Sequence, residues 1–130
     1  MIVVDSSALV AVCFNEADRD IFTDAILGSD DAKMSVPNLV EACMVVEARN
    51  GEAGGRELDR IVASFGLSVI AFDADQVEAA RQAFRRYGKG RHRAALNFGD
   101  CCAYALAKTL DLPLLFKGND FALTDIKRAL

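Results

Sequence analysis

A single histidine stands among the 130 residues, so no histidine pair is available for acid–base catalysis and no histidine-rich zinc site can form. No glycine-rich phosphate loop occurs. No Gly-Xaa-Ser-Xaa-Gly segment is present to build the nucleophile elbow of a serine hydrolase. No apolar run reaches the roughly 18 to 20 residues that a membrane helix needs. The opening Met1-Ile2-Val3-Val4-Asp5 meets a charge at once and lacks the basic region of a secretory signal, so a cytoplasmic location is the expectation. Cys13, Cys43, Cys101 and Cys102 show no paired metal-ligand spacing and lie in apolar surroundings, so they read as reduced and buried. Glycine and proline are scarce, at 9 and 2 residues, and no repeat or low-complexity segment suggests disorder.

What is present fits one domain spanning residues 1–130, with 52% hydrophobic residues to fill its core. The net charge of −4 argues against nucleic acid as a partner, but the charge is uneven. Arg81, Arg85, Arg86, Lys89, Arg91 and Arg93 follow one another with no acid between Glu78 and Asp100. A concentrated basic stretch on an acidic protein can still meet a phosphate backbone locally.

Ile2-Val3-Val4 reads as a short buried strand ended by Asp5. Helices are expected from Ser6 to Phe14 and from about Asp18 to Leu27, with a turn over Gly28 to Asp31. Met34-Ser35 reads as a short strand, and Pro37 suits the first turn of a helix running to about Arg49. Gly51 to Gly55 is expected to break it, before a helix from Arg56 to Phe65 and a strand from Leu67 to Phe72. Asp73 is placed to cap a helix reaching Tyr87. A basic loop, Gly88 to Leu96, then leads to Asn97, the cap of a helix to Leu110. Leu112 to Phe116 reads as the last strand, followed by a loop and a short helix. Strands alternating with helices predict an α/β, three-layer fold: a central parallel sheet with helices on both faces. In such folds chemistry gathers beyond the carboxyl ends of the strands. Asp5 ends the first strand and Asp120 follows the last.

Most acids sit in polar stretches or at helix starts, where solvent or the helix dipole accommodates them. Three do not. Glu41 is the only charge from Met34 to Val46, Asp100 the only one from Ala94 to Ala107, and Asp5 follows an apolar run directly. An ionised carboxylate taken out of water costs several kcal/mol unless something offsets it. Asp5 has a local offset in capping the next helix through the amides of Ser7 or Ala8, and Asp100 in a first-turn position. Glu41, inside its helix, has none. Carboxylates that share a pocket repel one another and stay ionised together only around a cation. Oxygen ligands suit Mg²⁺ or Mn²⁺. The remaining chemistry is metal-assisted hydrolysis, which pairs with a phosphate backbone and a basic loop.

These segments, in this order, resemble the PIN-domain toxins of the VapC family. Asp5-Ser6-Ser7-Ala8-Leu9-Val10 is similar to the opening motif. Glu41 matches the second acid, Leu96-Asn97-Phe98-Gly99-Asp100-Cys101 the segment carrying the third, and Leu114 to Phe121 the closing segment. Tyr87 to Arg93 is similar to a basic loop of one branch. The resemblance covers nearly the whole chain. It implies a single PIN domain, Mg²⁺- or Mn²⁺-dependent endoribonuclease activity, a type II toxin–antitoxin role with a VapB-type antitoxin, and a homodimer. It implies Asp5, Glu41 and Asp100 as metal ligands, Asp120 as a fourth catalytic acid, and Ser7 as a residue that orients Asp5 or a bound water. Many relatives carry an acid where Asn119 stands, so Asn119 offers only a carbonyl or an orienting hydrogen bond. Lys89, Arg91, Arg93 and Lys117 are the implied RNA contacts. The apolar residues Val10, Val12, Phe14, Val45 and Val46 are candidates for a dimer seam or antitoxin groove, beside ordinary core packing.

Two other readings stay open: an RNA-processing PIN nuclease outside a toxin–antitoxin pair, and a PIN-like module that holds RNA without cutting. Phosphoryl-transfer folds with a strand-end Asp fit less well. A receiver domain wants adjacent acids near its first strand, a dehalogenase-like phosphatase wants an Asp where Ser7 stands, and neither explains Glu41.

Overall fold

The structure, a computed structural model, describes residues 1–130. The apolar run at the start forms β1 (Ile2–Val4), one of the two inner strands of a four-stranded sheet in the order β3-β2-β1-β4. Its neighbours are β2 (Ala32–Ser35) and β4 (Leu114–Leu115), and β4 and β3 (Ser68–Ile70) form the two edges. All pairings are parallel, with Val3 opposite both Lys33 and Leu114. Parallel neighbours need crossovers, and helices supply them: α1 (Ser6–Cys13), α2 (Arg19–Leu27), α3 (Val36–Phe65), α4 (Ala74–Tyr87) and α5 (Phe98–Leu110). A 3₁₀ turn, Phe121–Leu123, stands where a last short helix was expected.

Alternation along β1 sends side chains to both faces of the sheet. Val4 and Leu115 join a core with Leu9, Phe22, Ile26, Val46 and Leu58, from α1, α2 and α3. Val3 and Leu114 join a second core with Ala83, Tyr87, Tyr104 and Leu106, from α4 and α5. The expected three-layer α/β arrangement is therefore present, and the carboxyl ends of β1, β2 and β4 share one edge of the sheet.

Two expectations need correction, and one feature was not anticipated. The outer strands are shorter than expected: β3 and β4 occupy only the centres of the segments Leu67–Phe72 and Leu112–Phe116. The break expected over Gly51 to Gly55 is a single residue, Gly51, at φ 68° and ψ −167°, and the chain is helical on both sides of it. Gly54 and Gly55 serve close approach instead: a Cβ at Gly55 would stand 2.8 Å from Oε2 of Glu47, and one at Gly54 2.6 Å from Cβ of Asn50. The two arms of α3 thus fold against each other as a tight hairpin. Finally, the C-terminal segment returns to the sheet, with Leu114 N donating to Lys127 O at 2.8 Å and Ala129 N to Leu114 O at 3.0 Å.

The kink at Gly51 uses a backbone region that side chains with a Cβ avoid, although nothing lies within 4 Å of where that Cβ would be. Gly51→Ala is therefore expected to destabilise the protein by about 1–3 kcal/mol through backbone strain alone. Urea unfolding measures this, and an unchanged midpoint would mean that the arms reorient freely.

Candidate active site

Asp5 leaves β1 and caps α1. Its Oδ2 accepts from Ser7 N at 3.0 Å and from Ser7 Oγ at 2.6 Å. The capping reading is correct, yet it occupies only one carboxylate oxygen. Oδ1 is buried and has no partner, and the residue is 3% exposed. Burial pushes the Asp5 carboxyl up to about 6; the two bonds from Ser7 pull it down, and the charges of Asp100 and Glu41 push it further up.

Ser7 does more than hold Asp5. Its Oγ accepts from Lys117 N at 3.0 Å, which ties the loop after β4 to the end of β1. The Lys117 ammonium reaches away to Asp18 at 3.2 Å and Glu16 at 3.3 Å, so the side chain expected at RNA is engaged with the α1–α2 connection.

Glu41 projects from α3 at partial exposure. Its Oε1 accepts a hydrogen bond from Ser6 Oγ. The carboxylate lies over Gly99, where a Cβ would stand 2.7 Å from Oε1 and closer still to Oε2. Gly99 is thus the residue that lets α5 come under Glu41. Asp100 follows it in the first turn of α5, inside a capping box: Asn97 N donates to Asp100 Oδ2 at 3.0 Å, and Asp100 N to Asn97 Oδ1 at 2.9 Å. Burial raises the Asp100 carboxyl; the Asn97 amide opposes this, and the charges of Asp120 and Glu41 add to it. Asp120 is exposed at the start of the 3₁₀ turn. Asn119 is also exposed, and its side chain makes no hydrogen bond within the chain, so no orienting contact to the acids is visible. Repulsion therefore runs from Asp5 through Glu41 and Asp100 to Asp120, as carboxylates near one another require.

The sequence reading missed two participants. Ser6 carries the bond to Glu41, but nothing distinguishes it from Ser7 in the sequence. Asn38 is fully buried, at 0% exposure, and its Nδ2 donates to Gly99 O at 2.9 Å. It pins α5 to the helix that carries Glu41. A polar amide between Pro37 and Leu39, three residues before a lone acid, was the available signal. The expected basic loop is present and tightly closed. Lys89 N donates to Leu96 O at 3.0 Å, Leu96 N to Tyr87 O at 2.9 Å, and Ala94 N to Nδ1 of His92 at 3.0 Å. Lys89, Arg91 and Arg93 are exposed and form no ion pair.

A cation fits this donor set. Asp5 Oδ1 is a buried anionic oxygen without a donor, and every other candidate ligand is a carboxylate, which suits a hard divalent ion. As they stand, no three of these side chains close on one point, and Glu41 gives one oxygen to the hydroxyl of Ser6.

The profile of the PIN domain matches residues 2–127, nearly the entire chain. Ribonuclease VapC of Mycolicibacterium smegmatis is 51% identical over 124 residues, covering 95% of this chain and 96% of the relative. Ribonuclease VapC30 of Mycobacterium tuberculosis is also 51% identical over 124 residues, covering 95% of each chain. The fold of VapC20 of M. tuberculosis, a sarcin–ricin loop cleaving toxin, superposes with a TM-score of 0.79 at 19% identity, over 97% of this chain and 96% of that one. VapBC2 of Rickettsia felis, solved with a DNA fragment of its promoter, gives 0.74 at 16% identity, over 98% and 96%. The chain belongs to the PIN-domain family, within its VapC ribonuclease branch.

Two outcomes follow from the geometry. Asp5 binds more protons folded than unfolded between its ordinary pKa of 3.8 and about 6, so the protein stripped of metal loses stability as pH rises through that window. The loss is roughly 3 kcal/mol and persists above the window. Asp5→Asn, which keeps the cap, should flatten this dependence; an equally steep profile in both proteins would rule Asp5 out as its source. Gly99→Ala should shift the flexible end of Glu41 and weaken Mn²⁺ binding by about 10- to 100-fold, the range for losing support of a metal ligand, with little change in thermal stability. Calorimetric titration reads the first and a melting curve the second.

Proposed function

We propose that this chain is a single-domain, Mg²⁺- or Mn²⁺-dependent endoribonuclease, the toxin of a type II toxin–antitoxin pair. The observation that carries the reading is the unpartnered buried oxygen of Asp5, at the strand end where Glu41, Asp100 and Asp120 converge electrostatically. The identity to proteins named VapC ribonucleases supports the substrate class.

Asp5, Glu41 and Asp100 would hold the metal, with Asp120 as a fourth acid at the rim. When bound, the ion lowers the pKa of water and stabilises charge on a phosphodiester. The chain's own residues do the rest. Ser7 fixes Asp5 by two hydrogen bonds and so keeps Oδ1 free of other duties. Ser6 holds Glu41 within reach, and Asn38 and the capping box fix the start of α5. Lys89, Arg91 and Arg93, free of acidic partners, would take the RNA backbone. Asn119, without charge, leaves Asp120 as the only acid of its loop tip.

A VapB-type antitoxin and a second copy of the chain are the proposed protein partners. Of the apolar residues singled out from the sequence, Val12 and Val46 are core, and Val10 and Phe14 are half-buried. Val45 is exposed, and it is joined on α3 by Val36, Val40 and Met44. Val36, Val40 and Met44 recur every fourth residue and so share one helix face. No helix is long and apolar enough to cross a membrane.

The deciding experiment is cleavage of structured and single-stranded RNA with Mg²⁺ or Mn²⁺, with EDTA, and with Asp5→Ala. Cutting should require metal and should fall on the order of 100-fold or more in the variant, at least the loss seen for residues that merely support metal ligands. Metal-independent cutting, or an active Asp5→Ala protein, would overturn the reading. Metal binding without cleavage of any RNA would favour the RNA-holding module instead.

A further inference from the structure

Phe98 is the most exposed large apolar side chain of the molecule, at 79%. It opens α5 between the cap Asn97 and Gly99, two residues before Asp100. Its ring meets no other aromatic ring and no cation of the chain, whereas Phe84, Phe116 and Phe121 all do. The core gains nothing from it, and water is a poor neighbour for a bare ring.

Its position gives it a use. On one side is Gly99, which lies beneath the Glu41 carboxylate, and then Asp100. On the other, Leu96 is bonded through both backbone groups to Tyr87 and Lys89, which brings the closed loop with Lys89, Arg91 and Arg93 to within two residues of the ring. The capping box makes the backbone at Phe98 rigid. Along the chain an exposed aromatic residue thus stands between a loop of cations that suit phosphates and acids that suit a metal. The residues beside it, Asn97, Gly99 and Asp100, are an amide, a glycine and a carboxylate, a polar setting in which an apolar protein segment would leave its own surface uncovered. A nucleic acid supplies both parts needed here, a flat base and anionic linkages on either side.

We propose that Phe98 is a stacking platform for one unpaired base next to the scissile phosphate. This rests on the reading of the chain as an RNA-cutting enzyme. A base inside a duplex already has its two faces covered by its neighbours, so the ring would discriminate against paired RNA. Stacking tolerates every base, and sequence preference would therefore arise elsewhere.

The test is fluorescence anisotropy of a labelled oligouridylate, and of a labelled RNA duplex, with the full chain in EDTA and, on an Asp5→Asn background, with Mg²⁺. Phe98→Leu should weaken single-strand binding by roughly ten-fold or more, the share of one stacked base. It should leave duplex binding and the melting temperature unchanged, and Phe98→Trp should restore the parent affinity. Light scattering on the same proteins reports the molecular mass. Parent-like single-strand affinity in Phe98→Leu, or an equal loss on the duplex, would overturn the platform while leaving the nuclease reading intact. A changed mass with unchanged RNA affinity would assign the ring to contact between copies. A parent protein that binds no RNA in either condition would remove the nuclease reading and the platform together.

Discussion

The burial of one carboxylate, that of Asp5, organises the rest of this molecule. Taking such a group out of water is unfavourable unless hydrogen bonds or a counter-charge compensate. Ser7 compensates half of it, bonding one oxygen through both its amide and its hydroxyl. The other oxygen has no protein donor, and the neighbouring charges are all of the wrong sign. The imbalance sits at the meeting point of β1, α3 and α5, where a cation would offset it, and the short parallel strands hold it there.

Each acid of the site also has ordinary structural work. Asp5 caps α1, Asp100 completes the box that starts α5, and Glu41 takes the hydroxyl of Ser6. Structural and functional readings of these residues are therefore not rivals. The cap spends one oxygen of a bidentate group and so fixes the direction of the other. Asn38 extends this economy one layer deeper, since its bond to Gly99 sets the height of α5 against the helix bearing Glu41.

Much of this was legible in the sequence because apolar runs and lone charges are local signals. The alternation of short apolar runs with helical segments led to the parallel sheet, and the isolation of Glu41 in an apolar helix set it apart as a candidate ligand. Asp73 and Asn97 announced their caps. What stayed hidden depends on pairs distant in sequence. Gly54 and Gly55 look like helix breakers until the two arms of α3 are seen packed together. The bond from Lys117 N to Ser7 spans most of the chain. The ion pairs of Lys117 with Glu16 and Asp18 likewise arise only once β4 lies beside β1.

The returning C-terminal segment has a consequence for what can pair with the sheet. A parallel sheet exposes two rows of unpaired backbone groups, and each is a template for a strand from another molecule. Beside β4 that row is occupied by the chain itself, through Lys127 and Ala129. The opposite border, β3, is only three residues long and so offers a poor template. The sheet is sealed on one flank and too short to recruit on the other, so neither border invites a strand from another chain.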